Sequence, residues 1–569
     1  MADKAKPSSI EVFKDDSNYL RGEIPEELVD DNPNFGKGSV QLLKHHGTYQ
    51  QDNRDNRAAA RAAGADKDYM FMVRSKIPGG RVTSDQLLAH LDLCDDVGNQ
   101  TLRVTSRQGL QLHGVVKDNL AETIKRINDC HATTLGACGD VNRNVMCCPA
   151  PYTDPIHTEM RRACDDLARH FAPRTKSYHK IWLKNGDGDK QLVQGAEDSG
   201  DVEPIYGRLY LPRKFKIGVA LPDDNCIDVY THDLGFIAIP DGDQVKGYNV
   251  VVGGGQGVTP SAAKTFPALA KKLCFITPDH AVDVATAIVK VQRDHGNRSD
   301  RKIARMKYLI AQWGIEKFKA KVEEYYGNDL PAPLEDDVEG HKHHMGWVEQ
   351  GDGNFFYGLN VENGRILDND DIQLKTAIRE ICKTYQPGVS FTAHQSILFS
   401  NIKPDDREAF EAILTNHKVT LSDDVSTVLK WSMACVAWPT CGLSITESER
   451  ALPGMVDQLE GELERLGLEK EEFTLRMTGC PNGCARPYNP DIGLVGKAKG
   501  KYTVFLGGAL LGNRLCFIYK DLVPSDDVVP ELAKVFKYFK ADREGSETFG
   551  DFCHRKGKDN LVAWTDQNA

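Results

Sequence analysis

An α+β fold with an internally duplicated core is predicted, because two weak repeats recur along the 569 residues in the order A–B–A′–B′. The first repeat aligns residues 80–116 with residues 364–402, and each copy opens on a Gly-Arg pair. The second repeat aligns residues 235–255 with residues 493–508. Two related halves bury their apolar faces by packing together, so we expect a pseudo-twofold arrangement around a central cofactor cleft.

The first repeat has the element order of a ferredoxin-like half-unit. Residues 69–77 form a strand-like run, and a similar run precedes the second Gly-Arg pair. The periodicity predicts helices at residues 86–94 and 372–382, alternating strands at 105–113 and 392–400, and second helices at about 120–127 and 407–414. This β-α-β-α order predicts two small half-units that pair with each other.

The second repeat predicts two larger α/β core halves with different chemistry. The lysine-containing residues 211–216 are predicted to be equivalent to residues 476–484, which contain two cysteines. Lys214 and Lys216 alternate with apolar residues, so a strand would direct both lysines to the same face. One wall of the cleft is therefore expected to bind metal, and the other to bind an anion.

Five regions follow from these repeats. They are an N-terminal arm (1–68), a first ferredoxin-like half-unit (69–130), a first core half (131–344), a second ferredoxin-like half-unit (345–420) and a second core half with the cysteines (421–569). The link that ends the first core half contains His341, His343 and His344. Three histidines could bind metal, but no matched ligands lie nearby in sequence, so we interpret this link as a solvated loop.

Composition narrows the function classes. The chain has 40% hydrophobic and 27% charged residues, as ordinary globular proteins do. A net charge of −11 argues against a nucleic-acid binder but leaves room for local basic patches. Neither a membrane-spanning apolar run nor a signal peptide is apparent. Fifteen unevenly spaced cysteines favour a reducing compartment over a disulfide framework, so we expect a cytoplasmic enzyme.

Four cysteines form the strongest local signal. Cys435 and Cys441 have the spacing C-x5-C, and Cys480 and Cys484 have the spacing C-x3-C. Thiolates are soft ligands that suit iron–sulfur clusters or zinc. The first pair is wider than the C-x2-C to C-x4-C spacing of zinc ribbons, which favours an iron–sulfur cluster. A structural zinc site in a scaffold protein, or four core thiols without metal, are the alternatives.

Basic residues crowd segments of this acidic chain in which a fold does not require them. They are Arg74, Arg103, Arg107, Arg143, Lys214, Lys216, Arg298, Arg301, Lys302, Arg305 and Lys307, and the last five are expected on a helical stretch. Beside a thiolate cluster, so many cations predict a polycarboxylate cofactor and an oxyanion substrate. The glycine-rich residues 253–257 lack the G-x-G-x-x-G pattern, which argues against a nicotinamide site.

The cysteine pattern, with Thr478-Gly479 before Cys480, resembles the sirohaem and [4Fe–4S] signature of the sulfite and nitrite reductases. Further segments are similar to the haemoprotein (beta) subunits of assimilatory sulfite reductases nearly from end to end: residues 17–22, 46–52, 142–145, 211–216 and 294–298. These segments favour sulfite over nitrite. Two positions depart from the family pattern: Cys147-Cys148 stands where one cysteine is expected, and Lys76 where arginine is common. The paired thiols raise the question of an extra reactive cysteine near the site.

The resemblance implies roles for individual residues. Cys435, Cys441, Cys480 and Cys484 would hold one [4Fe–4S] cluster, and Cys484 would also be the axial ligand of the sirohaem iron. Arg74, Arg143, Lys214 and Lys216 match the substrate-binding cations of the family. The residues in segments that line the sirohaem are Arg107, His113, Asn142, Arg298, Arg301, Lys302, Arg305, Lys307, Asn482 and Arg486.

The expected activity is the six-electron reduction of sulfite to hydrogen sulfide. Reduction of nitrite to ammonia on the same cofactors is the alternative. No flavin or nicotinamide motif is visible, so electrons are expected from a separate protein, which is either an NADPH-dependent flavoprotein subunit or ferredoxin. Neither a nucleic-acid nor a membrane partner is expected.

Overall fold

The computed structural model describes residues 6–175, 181–186, 188–194, 203–260 and 262–568. Up to residue 130, the helices are α1 (Ser9–Asp15), α2 (Ile24–Glu27), α3 (Lys37–Leu42), α4 (Arg57–Ala62), α5 (Ser84–Asp96) and α6 (Leu120–Asp129), and the strands are β1 (Thr48–Asp52), β2 (Tyr69–Ser75), β3 (Arg81–Thr83), β4 (Leu102–Val104) and β5 (Leu110–Val115). From there to residue 344 the elements are β6 (Met146–Cys147), α7 (Pro155–His170), β7 (Ile181–Lys184), β8 (Lys190–Gln194), β9 (Ile217–Ala220), β10 (Leu234–Asp241), β11 (Gln244–Val252), β12 (Lys271–Ile276), α8 (Ala281–His295), α9 (Met306–Trp313) and α10 (Ile315–Tyr326).

The second part of the chain repeats this order. Residues 345–420 contain β13 (Gly346–Glu349), β14 (Phe355–Leu359), β15 (Arg365–Ile366), α11 (Leu374–Tyr385), β16 (Gly388–Phe391), β17 (Ile397–Ile402) and α12 (Arg407–Asn416). The remaining elements are α13 (Thr427–Lys430), β18 (Ser432–Ala434), α14 (Leu452–Leu466), β19 (Leu475–Thr478), β20 (Ile492–Ala498), β21 (Lys501–Leu506), β22 (Phe517–Pro524), α15 (Val528–Asp542) and α16 (Phe549–Gln567). The predicted α+β class with internal duplication is confirmed.

The two small sheets exchange a strand. Their orders are β1-β2-β5-β4-β15 and β13-β14-β17-β16-β3, so each sheet is completed by a short strand from the other half. Arg365 pairs with Arg103 at one edge, and Val82 pairs with Val389 at the other. Both exchanged strands begin at the arginine of the Gly-Arg pair. The repeated pair therefore marks the crossing point between the two halves.

The two large sheets have identical topology. Their orders are β6-β9-β10-β11-β12 and β18-β19-β20-β21-β22. In both sheets the first three strands run parallel, and the last two are antiparallel neighbours. The predicted equivalence of residues 211–216 with 476–484 is wrong, because β9 corresponds to β19. The lysines precede β9, whereas Cys480 and Cys484 follow β19, so they occupy opposite ends of equivalent strands.

Helices cover each large sheet and close its core. Helices α7, α8 and α10 pack on the first sheet, and α14, α15 and α16 on the second. Helix α14 buries Leu452, Val456, Leu459 and Leu463 along one face, because apolar side chains spaced by three and four residues share a side of a helix. Burying each such side chain contributes about 1.5–3 kcal/mol.

The predicted helices and strands agree with the structure except at two turns, one helical stretch and the segment with Lys214 and Lys216. That segment lies before β9 and forms only an isolated bridge at Phe215. Residues 105–109 and 392–396 form turns, with Gln108 and Gln395 at positive φ, and the strands start after them at β5 and β17. The alternating pattern continues through both turns, so the predicted strands are too long at their N-terminal ends. Residues 298–305 are a loop with one short 3₁₀ helix, Arg301–Ile303, and α9 begins only at Met306.

The histidine-containing link is not the solvated loop that was predicted. His344 is buried, and the ring of His341 packs against Trp431 with centroids 5.2 Å apart. The backbone of the link is bound to the turn after β9, since Gly340 N donates to Pro222 O at 2.9 Å.

Among the described residues, every helix is too short or too polar to cross a membrane.

Candidate active site

A polar cleft lies where the first half-unit and the two core halves meet. It has about 720 Å³ of empty space, part of it open to solvent. Its lining includes Arg74, Arg107, Arg143, Lys214, Lys216, Arg305, Asn482 and Cys484. The four predicted substrate cations therefore share one cleft with the cysteine that was predicted to be the axial ligand. Their roles stay predictions, but the arrangement they require is present.

Backbone pairing holds the cations next to each other. Arg143 N donates to Phe215 O, and Phe215 N donates to Val141 O, both at 3.0 Å. These bonds align the segment before β6 with the segment that contains Lys214 and Lys216, just before β9. Arg74 comes from β2, and its Nη1 donates to Cys138 Sγ at 2.8 Å. Three separate segments thus direct cations into one volume.

The positive charge of the cleft is only partly neutralised by the protein, because Arg305 forms an ion pair with Asp233 but the two lysines have no such partner among the described residues. Within the described part of the chain, neither Lys214 Nζ nor Lys216 Nζ forms a hydrogen bond or an ion pair with the protein. Burial lowers the pKa of Lys214 well below its usual range, and Arg143 and Arg305 lower it further. Burial, Arg107 and Lys214 do the same to the pKa of Lys216. Half-buried cations without ion-pair partners are unfavourable, so the cleft is suited to a bound anion.

Unsatisfied polar atoms around the cleft fit a polycarboxylate ligand. Arg74 Nε and Arg107 Nε belong to residues that line the cleft, and both are buried without a hydrogen-bond partner. Burial, Arg143 and Arg486 lower the pKa of Arg107 to about 9. Buried polar groups are usually satisfied in native proteins, so a ligand with several anionic groups accounts for this set. The donors present therefore fit sirohaem.

The four cysteines of the signature come from two loops at the same end of the second large sheet. Cys435 follows β18, whereas Cys480 and Cys484 follow β19. Gly479 N lies 3.4 Å from Cys435 Sγ, and Asn482 Nδ2 lies 3.5 Å from Cys480 Sγ. Burial and the neighbouring Cys484 raise the pKa of Cys480 to about 12. Thiols near N–H donors are suited to a metal centre, which would stabilise the thiolates.

The spacing of these sulfur atoms argues against the zinc alternative. A single tetrahedral ion holds its ligand atoms close together. Among the described residues, no three of the four sulfur atoms belong to a group whose ligand atoms all lie within 4.8 Å of one another. A [4Fe–4S] cluster is larger than one ion and needs its four thiolates around it, so the donor set fits the cluster.

The other predicted cofactor-binding residues divide into two groups. Arg107, Arg305 and Asn482 line the cleft. The remaining residues do not line it: His113, Asn142, Arg298, Arg301, Lys302, Lys307 and Arg486. Lys307 instead stabilises the glycine-rich loop of the cleft lining, since its Nζ donates to Gly255 O and Gly257 O at 2.9 Å. Lys302 is exposed. The predicted helical stretch does not form over the five cations Arg298, Arg301, Lys302, Arg305 and Lys307.

Arg298 and Arg301, two of the predicted cofactor-binding residues, bind other parts of the protein and do not line the cleft. Arg301 donates two hydrogen bonds to Asp140, at 2.7 and 2.8 Å. Arg298 binds Glu11 of the N-terminal arm and Tyr210 O. These arginines hold the arm and the segment before Lys214 in place, so any influence on the cleft is indirect.

Asp228 is a buried residue that sequence reasoning missed. It lies in the first core half, and its carboxylate accepts hydrogen bonds from Arg476 and Arg486 of the second. Arg486 in turn donates to Ser106 O at 2.8 Å, behind the cleft. Burial alone would raise the pKa of Asp228, but Arg476 and Arg486 hold it well below its usual range. No local motif surrounds Asp228, so the sequence offers no signal for this bridge.

Comparison with known proteins gives matches over nearly the whole chain. The NADPH sulfite reductase hemoprotein beta-component of Staphylococcus haemolyticus is 41% identical, over 97% of this chain and 95% of that protein. The ferredoxin sulfite reductase of Synechococcus elongatus is 42% identical, over 98% and 90%. The chain belongs to the nitrite and sulfite reductase family. It is therefore an oxidoreductase, as predicted.

Family profiles place the repeats within this reductase family. The nitrite/sulfite reductase ferredoxin-like half domain matches residues 63–130 and 348–417, which confirms the two ferredoxin-like half-units. The nitrite and sulphite reductase 4Fe-4S domain matches residues 138–330, in the first core half. The NirA protein of Mycobacterium tuberculosis has the same fold, with a TM-score of 0.79 and 23% identity over 98% of both chains. The region boundaries themselves stay a prediction.

Proposed function

We propose that this chain is the haemoprotein subunit of an assimilatory sulfite reductase, which reduces sulfite to hydrogen sulfide with six electrons. The observation that carries the proposal is the shared cleft: Cys484 lies in one lining with Arg74, Arg143, Lys214 and Lys216. The relatives at 41–42% identity are sulfite reductases, which supports the same reaction. Reduction of nitrite stays the alternative, and no feature of the described cleft favours it.

The cofactors are held by two sides of the cleft. Cys435, Cys441, Cys480 and Cys484 would hold one [4Fe–4S] cluster, and the Cys484 thiolate would also hold the sirohaem. When bound, this pair supplies an iron for the sulfur atom of sulfite and electrons one at a time. Arg107, Arg305 and Asn482 line the cleft, where they would bind the anionic groups of sirohaem.

The four cations bind and orient the substrate. Guanidinium groups present paired donors to oxyanions, so Arg74 and Arg143 act as clamps on the sulfite oxygens. They also stabilise the negative charge that develops as S–O bonds break. Each departing oxygen leaves as water and needs protons. Lys214 and Lys216 deliver these protons from Nζ, because a lysine ammonium is a much stronger acid than guanidinium, and burial strengthens it further.

Electrons come from a separate protein. The relatives include hemoprotein components of the NADPH-dependent type and a ferredoxin-dependent enzyme at the same 42% identity, so both donors stay open. We place the enzyme in the cytoplasm, where a reducing environment keeps thiols unpaired. All fifteen cysteines are free thiols in the structure.

The test is reconstitution of the purified holoenzyme. We expect an intense visible spectrum from sirohaem and stoichiometric sulfide from sulfite when reduced methyl viologen supplies electrons. Values of kcat/KM for sulfite and nitrite then identify the preferred substrate, and an NADPH-dependent flavoprotein or reduced ferredoxin, added singly, identifies the donor. A colourless protein, or a kcat/KM that favours nitrite, would overturn the proposal.

A further inference from the structure

A second group of metal-ligating side chains lies outside the cleft. Cys148 follows β6, Asp224 and Cys226 lie in the turn after β9, and His344 ends the link between the halves. One ligand atom from each residue lies within 4.8 Å of the other three, and all four residues are buried. Within the described residues it is the only such group, and none of its members lines the cleft.

The distances within this group are close to those around a single ion. Asp224 Oδ2 is 2.8 Å from Cys148 Sγ and 3.0 Å from His344 Nε2. Cys148 Sγ and His344 Nε2 are 3.7 Å apart. Zinc bonds of about 2.0–2.3 Å in a tetrahedron put neighbouring ligand atoms roughly 3.3–3.8 Å apart. The ligand atoms of Cys148, Asp224 and His344 therefore need to separate by less than about 1 Å to admit the ion.

The Asp224 carboxylate is already oriented to bind an ion together with Cys148 and His344. Cys226 N donates to Asp224 Oδ1 at 3.1 Å, and Lys342 N lies 3.3 Å from the same oxygen. These backbone contacts hold Oδ1 and leave Oδ2 directed at Cys148 and His344. Neighbours that fix the orientation of a ligand in this way are typical of metal sites.

The link that carries His344 is fixed against the turn that carries Asp224. Asn225 N donates to Gly340 O at 2.8 Å, and a Cβ on Gly340 would lie only 2.0 Å from Asp223 O. His344 itself has a φ of +62°, in the left-handed region. A side chain rarely adopts this conformation unless its surroundings impose it. The backbone thus places the imidazole in the group at a cost in strain.

The same two cysteine positions carry metal ligands in the other core half. Strand pairing aligns Met146, Gly218 and Gly235 in the first large sheet, and Met433, Arg476 and Gly493 in the second. Cys148 stands two residues after Met146, as Cys435 does after Met433. Cys226 stands eight residues after Gly218, as Cys484 does after Arg476. Two of the four residues thus occupy the pseudo-twofold positions of two predicted cluster ligands.

We propose that Cys148, Asp224, Cys226 and His344 bind one zinc ion. Two thiolates, an imidazole and a carboxylate are a ligand set that zinc accepts, and binding displaces the protons of the two thiols and of the imidazole. Four protein ligands without an open position make a structural site rather than a catalytic one. The ion ties β6, the turn after β9 and the link into one unit. This inference does not depend on sulfite reduction.

The first test uses the untagged wild-type holoenzyme, purified without added metal. We expect about one zinc per chain in addition to the iron of the cofactors. X-ray absorption at the zinc edge should give two sulfur ligands at about 2.3 Å and two nitrogen or oxygen ligands at about 2.0–2.2 Å. Zinc well below one per chain, or zinc without sulfur ligands, would overturn the proposal. A protein inactive on sulfite would leave this result unchanged.

Variants locate the ion. Cys226→Ala should lose the zinc, whereas Cys147→Ala removes the adjacent buried thiol that lies outside the group and should keep it. If Cys226→Ala does not fold, Asp224→Asn keeps the shape of the side chain and should release zinc to a chelator at least tenfold more readily. Retention of full zinc content with unchanged chelator resistance in both Cys226→Ala and Asp224→Asn would refute the assignment.

Discussion

The two large sheets share topology and register, yet they carry different chemistry at matching positions. Cys484 lines the cleft and belongs with Cys435, Cys441 and Cys480 to the predicted cluster ligands, whereas Cys148 and Cys226 lie in a closed group with Asp224 and His344. The fold fixes where ligands emerge from the ends of the parallel strands. The residues of the loops after these strands then determine whether the ligands bind a redox centre or a single ion. Four variants sharpen this contrast, in order of decreasing effect.

The largest effect is expected from Cys484→Ser. A serine hydroxyl is a poor replacement for the thiolate that is proposed to hold both cofactors, so the variant should lose them and all measurable sulfite reduction. Visible absorption and iron content measure the loss, while the zinc content should not change. Cys130→Ser, in the first half-unit, is the matched control. A fully metallated, active Cys484→Ser protein would refute the bridging assignment.

Lys216→Met should separate chemistry from cofactor binding. The variant keeps the length of the side chain but removes a proton donor and one cation, so kcat should fall about 10²–10⁴-fold. The visible spectrum and iron content should stay at wild-type levels. Lys246→Met, an exposed lysine on β11, is the control. Normal turnover in Lys216→Met would eliminate the proposed role.

Asp228→Asn should weaken the bridge between the two core halves. It leaves Arg476 and Arg486 buried without their counter-charge, which costs about 3–5 kcal/mol of unfolding free energy. The folded-state pKa of Asp228 is depressed, so the carboxylate stabilises the fold above about pH 4, and this is lost as pH falls further. The gap in Tm between wild type and variant should therefore stay constant from pH 7 to 5 and shrink below pH 4.

An exposed carboxylate provides the control for the bridge. Asp243→Asn should leave Tm unchanged at every pH, since Asp243 is exposed and forms no ion pair among the described residues. A similar Tm for the wild type and Asp228→Asn at pH 7 would contradict the bridging role.

The smallest effect is expected from Asn482→Asp. Position 482 corresponds to Asp224 of the other half, so this change transfers the carboxylate of the proposed zinc site to the cluster side. It replaces the Nδ2 donor near Cys480 Sγ with an anion. Losing one such hydrogen bond is worth about 1 kcal/mol, which corresponds to about 40 mV for one electron. The midpoint potential of the [4Fe–4S] cluster should therefore move to more negative values.

The potential has a matched control at the same position. Asn482→Gln keeps an amide donor, so its midpoint potential should stay nearer to that of the wild type. A positive shift in Asn482→Asp, measured by redox titration of the visible spectrum, would contradict the proposed contact with Cys480.

Much of the fold was predictable because its signals are local or repeated. The Gly-Arg pairs, the helical periodicity and the alternating strand before residue 253 each identify one element. The strand exchange was missed, because β3 and β15 are too short to show a pattern and find their partners across the chain. The turns at Gln108 and Gln395 were missed too, since residues at positive φ carry no mark in an alternating sequence.

The two metal-ligand groups show the same limit. Cys480 and Cys484 share one short loop, so their spacing reveals them. Cys148, Asp224 and His344 are brought together only by sheet register and by the buried link. His344 was therefore assigned to a solvated loop, and Cys148 appeared only as a departure from the family pattern.

The strand exchange also constrains how the protein is made. The first small sheet has β1, β2, β4 and β5 once residue 115 has been synthesised, but its last edge strand, β15, follows about 250 residues later. At 5–20 residues per second, a ribosome needs about 12–50 s to reach it. During that interval the edge of β4 is unpaired and open to other nascent chains. Slow synthesis or crowded polysomes should therefore favour swapped dimers, in which one molecule donates β15 to another.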